Sequence, residues 1–226
     1  MKTTRILLAA LLAPILISWA SAQSPANAEA AAAHQAGQAL LKEKKSKEAA
    51  AEFEKAAKLD PSNADYHADY GRALSAQMAD ANFMQKAMLS GKMKKAFDRA
   101  VEINPNHVGG LIGQIRFYSG APEIAGGSME KAAAAAAHLK TVLPFMGEFE
   151  LGGLAERAED YAKALGHFEA AAKLNPQHPG AQNACGRMLV KLGKPEDARA
   201  RFEAALKINP DFEPAKKALA ELGAKS

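Results

Sequence analysis

The chain has 226 residues, with 29 Lys and Arg against 25 Asp and Glu, and its formal net charge of +4 falls to +2 once the leader residues Lys2 and Arg5 are set aside. That balance is too weak to act as an electrostatic footprint for nucleic acid, and stacking platforms of aromatic residues are lacking, so no nucleic-acid partner is expected. The single cysteine, Cys185, excludes an internal disulfide, so stability must come from buried apolar surface, for which roughly 200 residues are ample.

In chain order, the first signal is an apolar run, Ile6 to Trp19, preceded by Lys2 and Arg5 and closed by Ala20-Ser21-Ala22. This predicts a cleavable export signal over residues 1–22, cut after Ala22, and a mature chain in a bacterial periplasm or secreted outright. No cysteine stands at the cleavage point to carry a lipid anchor. No later stretch reaches membrane-spanning length, so no membrane insertion is expected after cleavage.

Beyond the leader one phrase keeps returning: Phe, Ala three residues on, then Asn or Asp followed by Pro. It runs from Phe53 through Ala56 to Asp60-Pro61, from Phe97 through Ala100 to Asn104-Pro105, from Phe168 through Ala171 to Asn175-Pro176, and from Phe202 through Ala205 to Asn209-Pro210. Small residues precede each phrase at a fixed address, Gly37, Gly71, Gly152 and Gly186, where two helices can approach closely. Within each half-unit, apolar and small residues recur at spacings of three and four, which predicts two amphipathic helices per unit. The Asn/Asp-Pro pair stops one helix and its proline opens the next.

These residues resemble the tetratricopeptide repeat (TPR). The last unit matches at Gly186, Leu189, Ala198, Phe202, Ala205 and Pro210, and 34 residues separate Pro176 from Pro210. The resemblance implies an all-α, right-handed α-solenoid of about five helical hairpins in a single domain, 23–226. The units are placed at about 30–63, 64–107, 108–144, 145–178 and 179–212, with a capping helix over 213–222 whose Lys216, Lys217 and Glu221 face water.

Two units exceed the usual length. Pro61 to Pro105 is 44 residues and Pro105 to Pro144 is 39. The first surplus, Ala76 to Met93, carries Met78, Phe83, Met84, Met88 and Met93, with a helix expected from Phe83 to Ile103. The second is the loop Gly120 to Ser128, where Pro122 and the Gly126-Gly127 pair prevent helix and Ser128 can cap the next one. Met93 to Phe97, Phe117-Tyr118, Ala121 to Ser128 and Lys131-Ala132 together resemble a subset of exported bacterial TPR proteins. In the third unit Gln114 and Ile115 stand where a large residue and a glycine are usual, which leaves the register of 108–144 open.

The TPR resemblance implies that first helices line a concave groove that takes an extended peptide or a partner helix. At the ninth position of successive units stand Gln38, Arg72, Arg116, Gly153 and Arg187, and Asn183 and Lys191 occupy other groove addresses. Guanidinium groups along a groove suit carboxylates, which they bind through two parallel hydrogen bonds; their stems can instead simply cover apolar neighbours. The expected function is a non-catalytic scaffold or assembly factor of the cell envelope that binds protein or peptide, without a cofactor.

No nucleophile has a base paired with it, and the histidines at 34, 67, 107, 138, 167 and 178 read as falling at unrelated repeat positions, so no catalytic residues are assigned. Cys185 reads as a packing thiol. Met84 and Met88, one helical turn apart, support an alternative of a different class, a periplasmic carrier of Cu(I) or a small ligand. A helper in cytochrome or outer-membrane assembly is a third reading.

Overall fold

The structure is a computed structural model that describes residues 25–224; the expected export signal, residues 1–22, lies outside them. Its helices are α1 (Pro25–Lys42), α2 (Ser46–Leu59), α3 (Ala64–Gln77), α4 (Phe83–Ile103), α5 (Val108–Gly120), α6 (Met129–Val142), α7 (Pro144–Arg157), α8 (Tyr161–Leu174), α9 (Pro179–Lys191), α10 (Pro195–Ile208) and α11 (Glu213–Gly223). A short 3-10 turn, Glu123–Ala125, interrupts the link between α5 and α6, and no strand occurs among the described residues. Each helix packs on its sequence neighbours to form an α-solenoid of five antiparallel hairpins, and α11 closes the end against α9 and α10.

Hairpins form because each second helix puts a phenylalanine against a glycine of the first. A Cβ on Gly37 would stand 2.8 Å from the Phe53 ring, on Gly152 2.7 Å from Phe168 and on Gly186 2.5 Å from Phe202, so only glycine admits the ring at this separation. Phe53, Phe168 and Phe202 are all essentially inaccessible to solvent. Burying each contributes about 2–3 kcal/mol by area, which makes these rings the main apolar anchors of their hairpins.

In the third hairpin the sizes are exchanged. Ile115, 1% exposed, stands at the glycine address and packs in one cluster with Ala132, Ala135 and Ala136 of α6. An alanine-rich helix leaves the room that a glycine leaves elsewhere. The unused glycine contact is redirected to the preceding hairpin: Phe97 of α4 is clasped between Gly71 on α3 and Gly113 on α5, with no room for a methyl at either.

Both long units are accounted for. α4 spans the helix expected from Phe83, and Asn82 opens it through a capping box: its side chain accepts from Gln85 N–H at 3.0 Å while Gln85 Oε1 accepts from Asn82 N–H at 2.9 Å. In the loop, Ser128 Oγ caps α6 by accepting from Lys131 N–H at 3.2 Å. Asp98 of α4 joins that helix to α5 just before the loop, accepting from Tyr118 Oη, Gln114 Nε2 and Lys94 Nζ, each at 2.8 Å. Lys94 and Lys131 flank the Tyr118 ring at 5.8 and 5.5 Å. This network joins residues of both long units, Lys94 and Asp98 with Tyr118 and Lys131, and gives a structural reason for that sequence combination.

Candidate concave binding cleft

A cleft of about 670 Å³ lies between α3 and α5. Its α3 wall is Asp65, Ala68, Asp69, Arg72 and Ser75, residues that helical periodicity puts on one stripe. The α5 wall is Gly109, Ile112, Gly113 and Arg116, and the floor is Met93, Phe97 and Phe117. Gly113 lets the Phe97 ring rise into the floor of the cleft, and a Cβ at Gly109 would stand 3.7 Å from Ala68 of α3, so both glycines bring the walls and floor close together.

The electrostatics of the cleft are lopsided. Asp69 is engaged twice, by Arg72 Nη2 at 3.1 Å and by His34 Nε2 at 2.8 Å. Asp65 faces His107 Nε2 at 2.9 Å. The tautomer of His107 follows from its other nitrogen: Nδ1 accepts the Gly110 N–H at 2.9 Å, so Nε2 carries the proton donated to Asp65. Both carboxylates of the wall therefore have partners. Arg116 makes no ion pair among the described residues, although its charge reaches Glu150 on α7. Burial pushes the Glu150 carboxyl above the usual carboxylate range, and Arg116 and Arg157 both pull against that rise.

The groove residues named from sequence do not share one site. Arg72 and Arg116 line this cleft together. Arg187 and Lys191 border a smaller pocket of about 260 Å³ against α11, where Arg187 Nη2 is bound to Glu156 Oε2 at 3.0 Å and Lys191 Nζ sits 5.6 Å over the Tyr161 ring. Gln38 is exposed on α1, outside both. Asn183 is 8% exposed, and its Oδ1 is buried without a hydrogen-bond partner. Met84 and Met88 are 79% and 67% exposed on α4, and among the described residues no three of His, Cys, Asp and Glu gather as a metal site.

One expectation is corrected. His107 and His178 do not fall at unrelated places: each stands immediately before the first helix of its unit and caps it, His178 Nδ1 accepting the Ala181 N–H at 3.1 Å. Asn63 does the same for α3 through Asp65 N–H at 3.0 Å. The signal lies two positions after the Asn/Asp-Pro pair, where imidazole is an uncommon cap.

Residues 30–63 match a family model described as tetratricopeptide repeat, and residues 155–222 match a second one with the same description. These are tetratricopeptide repeats. Solved TPR structures share the fold across nearly the whole array. A thermophilic TPR protein of Thermus thermophilus, TTC0263, is similar at a TM-score of 0.65 and 18% identity, covering 85% of this chain and 98% of its own. Pseudomonas aeruginosa PilF gives 0.63 and 18%, covering 88% and 91%. YrrB, described as a TPR protein with an unusual peptide-binding site, gives 0.55 and 17%, covering 83% and 90%. No curated protein matches this sequence.

Proposed function

We propose that this TPR array is a non-catalytic scaffold of the bacterial envelope that holds a carboxylate-bearing peptide segment in the cleft between α3 and α5. The carrying observation is Arg116, which makes no ion pair among the described residues, at the wall of an apolar-floored cleft whose two acids already have partners. An incoming carboxylate gains a charge-assisted, two-point contact there without first breaking an internal ion pair. Arg72 and Arg187 would each have to leave Asp69 or Glu156 to do the same. Met93, Phe97, Ile112 and Phe117 offer an apolar seat for a side chain next to that carboxylate. The envelope assignment rests on the export signal expected in residues 1–22, and the peptide-binding description of the similarly folded YrrB is consistent with a groove of this kind.

The test is fluorescence polarisation against matched peptides ending in a free carboxylate or an amide. Hydrogen bonds to charged groups contribute about 1.5–3 kcal/mol, so Arg116→Ala should weaken the free-carboxylate peptides by roughly tenfold or more while Arg187→Ala leaves them unchanged. Equal affinity for acid and amide forms, or equal loss in the two variants, would remove the cleft from consideration.

A further inference from the structure

Helix α4 is mostly exposed over its first turns, with Leu89 alone packing against the core. Its first buried residue is Met93, ten positions in, and before it Phe83 is 87% exposed, Met84 79% and Met88 67%. The start of the helix is held by the Asn82 capping box, and Leu89 is its first contact with the core. At 100° per residue, Met84, Met88, Lys92 and Lys95 fall on the face opposite the buried row Met93, Ala96, Phe97 and Ala100.

Charge on this segment is one-sided. Between Asp80 and Asp98 the sequence holds Lys86, Lys92, Lys94 and Lys95 and no acid. Lys94 is taken up by Asp98, but Lys86, Lys92 and Lys95 make no ion pair among the described residues. The nearest acidic side chain lining the shallow pocket beside Lys92 and Lys95 is Glu54 of α2, and Lys58 already holds it at 3.2 Å.

We propose that the outer face of α4 is a peripheral contact for an anionic phospholipid surface, with Met84 and Met88 entering the headgroup boundary and Lys92 and Lys95 of the same face meeting lipid phosphates. Large side chains standing out from a convex helix need a partner pocket if the partner is a protein, whereas a bilayer receives them without one. A second copy of the chain would oppose lysines to lysines. The combination of protruding apolar groups and unpaired basic groups is complementary to an anionic bilayer on both counts. No described helix is long and apolar enough to cross a membrane, so the contact is interfacial.

The test uses residues 23–226, which hold every described helix and omit the apolar leader, in co-sedimentation with phosphatidylcholine vesicles and with 60:40 phosphatidylcholine:phosphatidylglycerol vesicles. Binding to the anionic vesicles alone is expected, falling severalfold at high salt. Lys92→Gln/Lys95→Gln should lower partitioning by about fivefold per lysine at low salt, whereas Lys86→Gln, on the other side of the helix, should change it less. Met84→Gln/Met88→Gln should lower it at both salt concentrations, and helicity measured by circular dichroism should be unchanged in all variants. Arg116→Ala should leave vesicle binding intact, which separates this surface from the cleft. The proposal is overturned by absent vesicle binding, by equal binding to zwitterionic vesicles, by Lys92→Gln/Lys95→Gln or Met84→Gln/Met88→Gln proteins that bind like wild type, or by an acidic protein taking these residues while vesicles do not.

Discussion

Two glycines six residues apart on α7 should respond to the same substitution with opposite signs. A Cβ at Gly147 would lie well under 3.0 Å from the Cα, N and Cβ of Lys140 on α6, whereas at Gly153 it would meet nothing within 4 Å. Gly→Ala in a helix interior is worth about 0.8–1 kcal/mol by propensity, so Gly153→Ala should gain roughly that much. At Gly147 the same gain is opposed by a clash with backbone, which no rotamer change relieves. Helices α6 and α7 must part by roughly 1 Å, and overpacking of this kind costs about 1–3 kcal/mol or more. The net expectation is a loss of about 1–3 kcal/mol. For a chain of this size 1 kcal/mol moves the melting temperature by about 2–4 °C. Thermal and urea unfolding followed at 222 nm should therefore show Gly153→Ala above wild type and Gly147→Ala below it. A Gly147→Ala protein as stable as wild type would refute the close approach of α6 and α7 and with it the packing of the third hairpin on the fourth.

Ile115→Ala should lower the urea-unfolding free energy by about 2–5 kcal/mol, because Ile115 is almost fully buried in a cluster where α6 contributes Ala132, Ala135 and Ala136, whose short side chains fill little of the void. Glu148, 7% exposed, accepts from Lys140 Nζ at 2.6 Å and His167 Nδ1 at 2.7 Å. Burial pushes its pKa up, but the hydrogen bonds from Lys140 and His167 outweigh this and hold the carboxyl below its usual range. A pKa depressed on folding stabilises above the unfolded value and ceases to do so as pH falls through the folded one. Acidification from about pH 5 should thus destabilise wild type, and Glu148→Gln should flatten that part of the profile. Cys185 is fully buried, and burial pushes its thiol up to about 11. A disulfide exchange reagent at pH 8 should label it only when denaturant is present; rapid labelling of the native protein would contradict its placement.

Much of this architecture is written locally. The period of three and four in each half-unit and the Asn/Asp-Pro stops were enough to find the helices, including the start of α4 after Asn82 and the Ser128 cap of α6, because these features act over a few residues of chain. The pairing of Gly152 with Phe168 or Gly186 with Phe202 was legible for the same reason: both partners belong to one hairpin and recur at one spacing. What a sequence pattern could not show was where that pairing is exchanged. Ile115 breaks the glycine rule, and only its seating on an alanine-rich α6 shows that volume is conserved across the hairpin rather than at the position.

The candidate site divides along the same line. Sequence placed Arg72, Arg116 and Arg187 at one repeat address, because the address follows from counting residues. Which of them keeps a free charge depends on whether Asp69 or Glu156 comes within reach, and Glu156 comes to Arg187 from another hairpin. Tertiary packing likewise sank Asn183 and drew His107 onto Asp65 across the cleft. The chain's local order determined that it would be a stack of helical hairpins with a groove. Contacts between hairpins, which no single repeat encodes, decided that α3 and α5 face each other across a cleft floored by Phe97 and that Arg116 stands in it without an ion pair among the described residues.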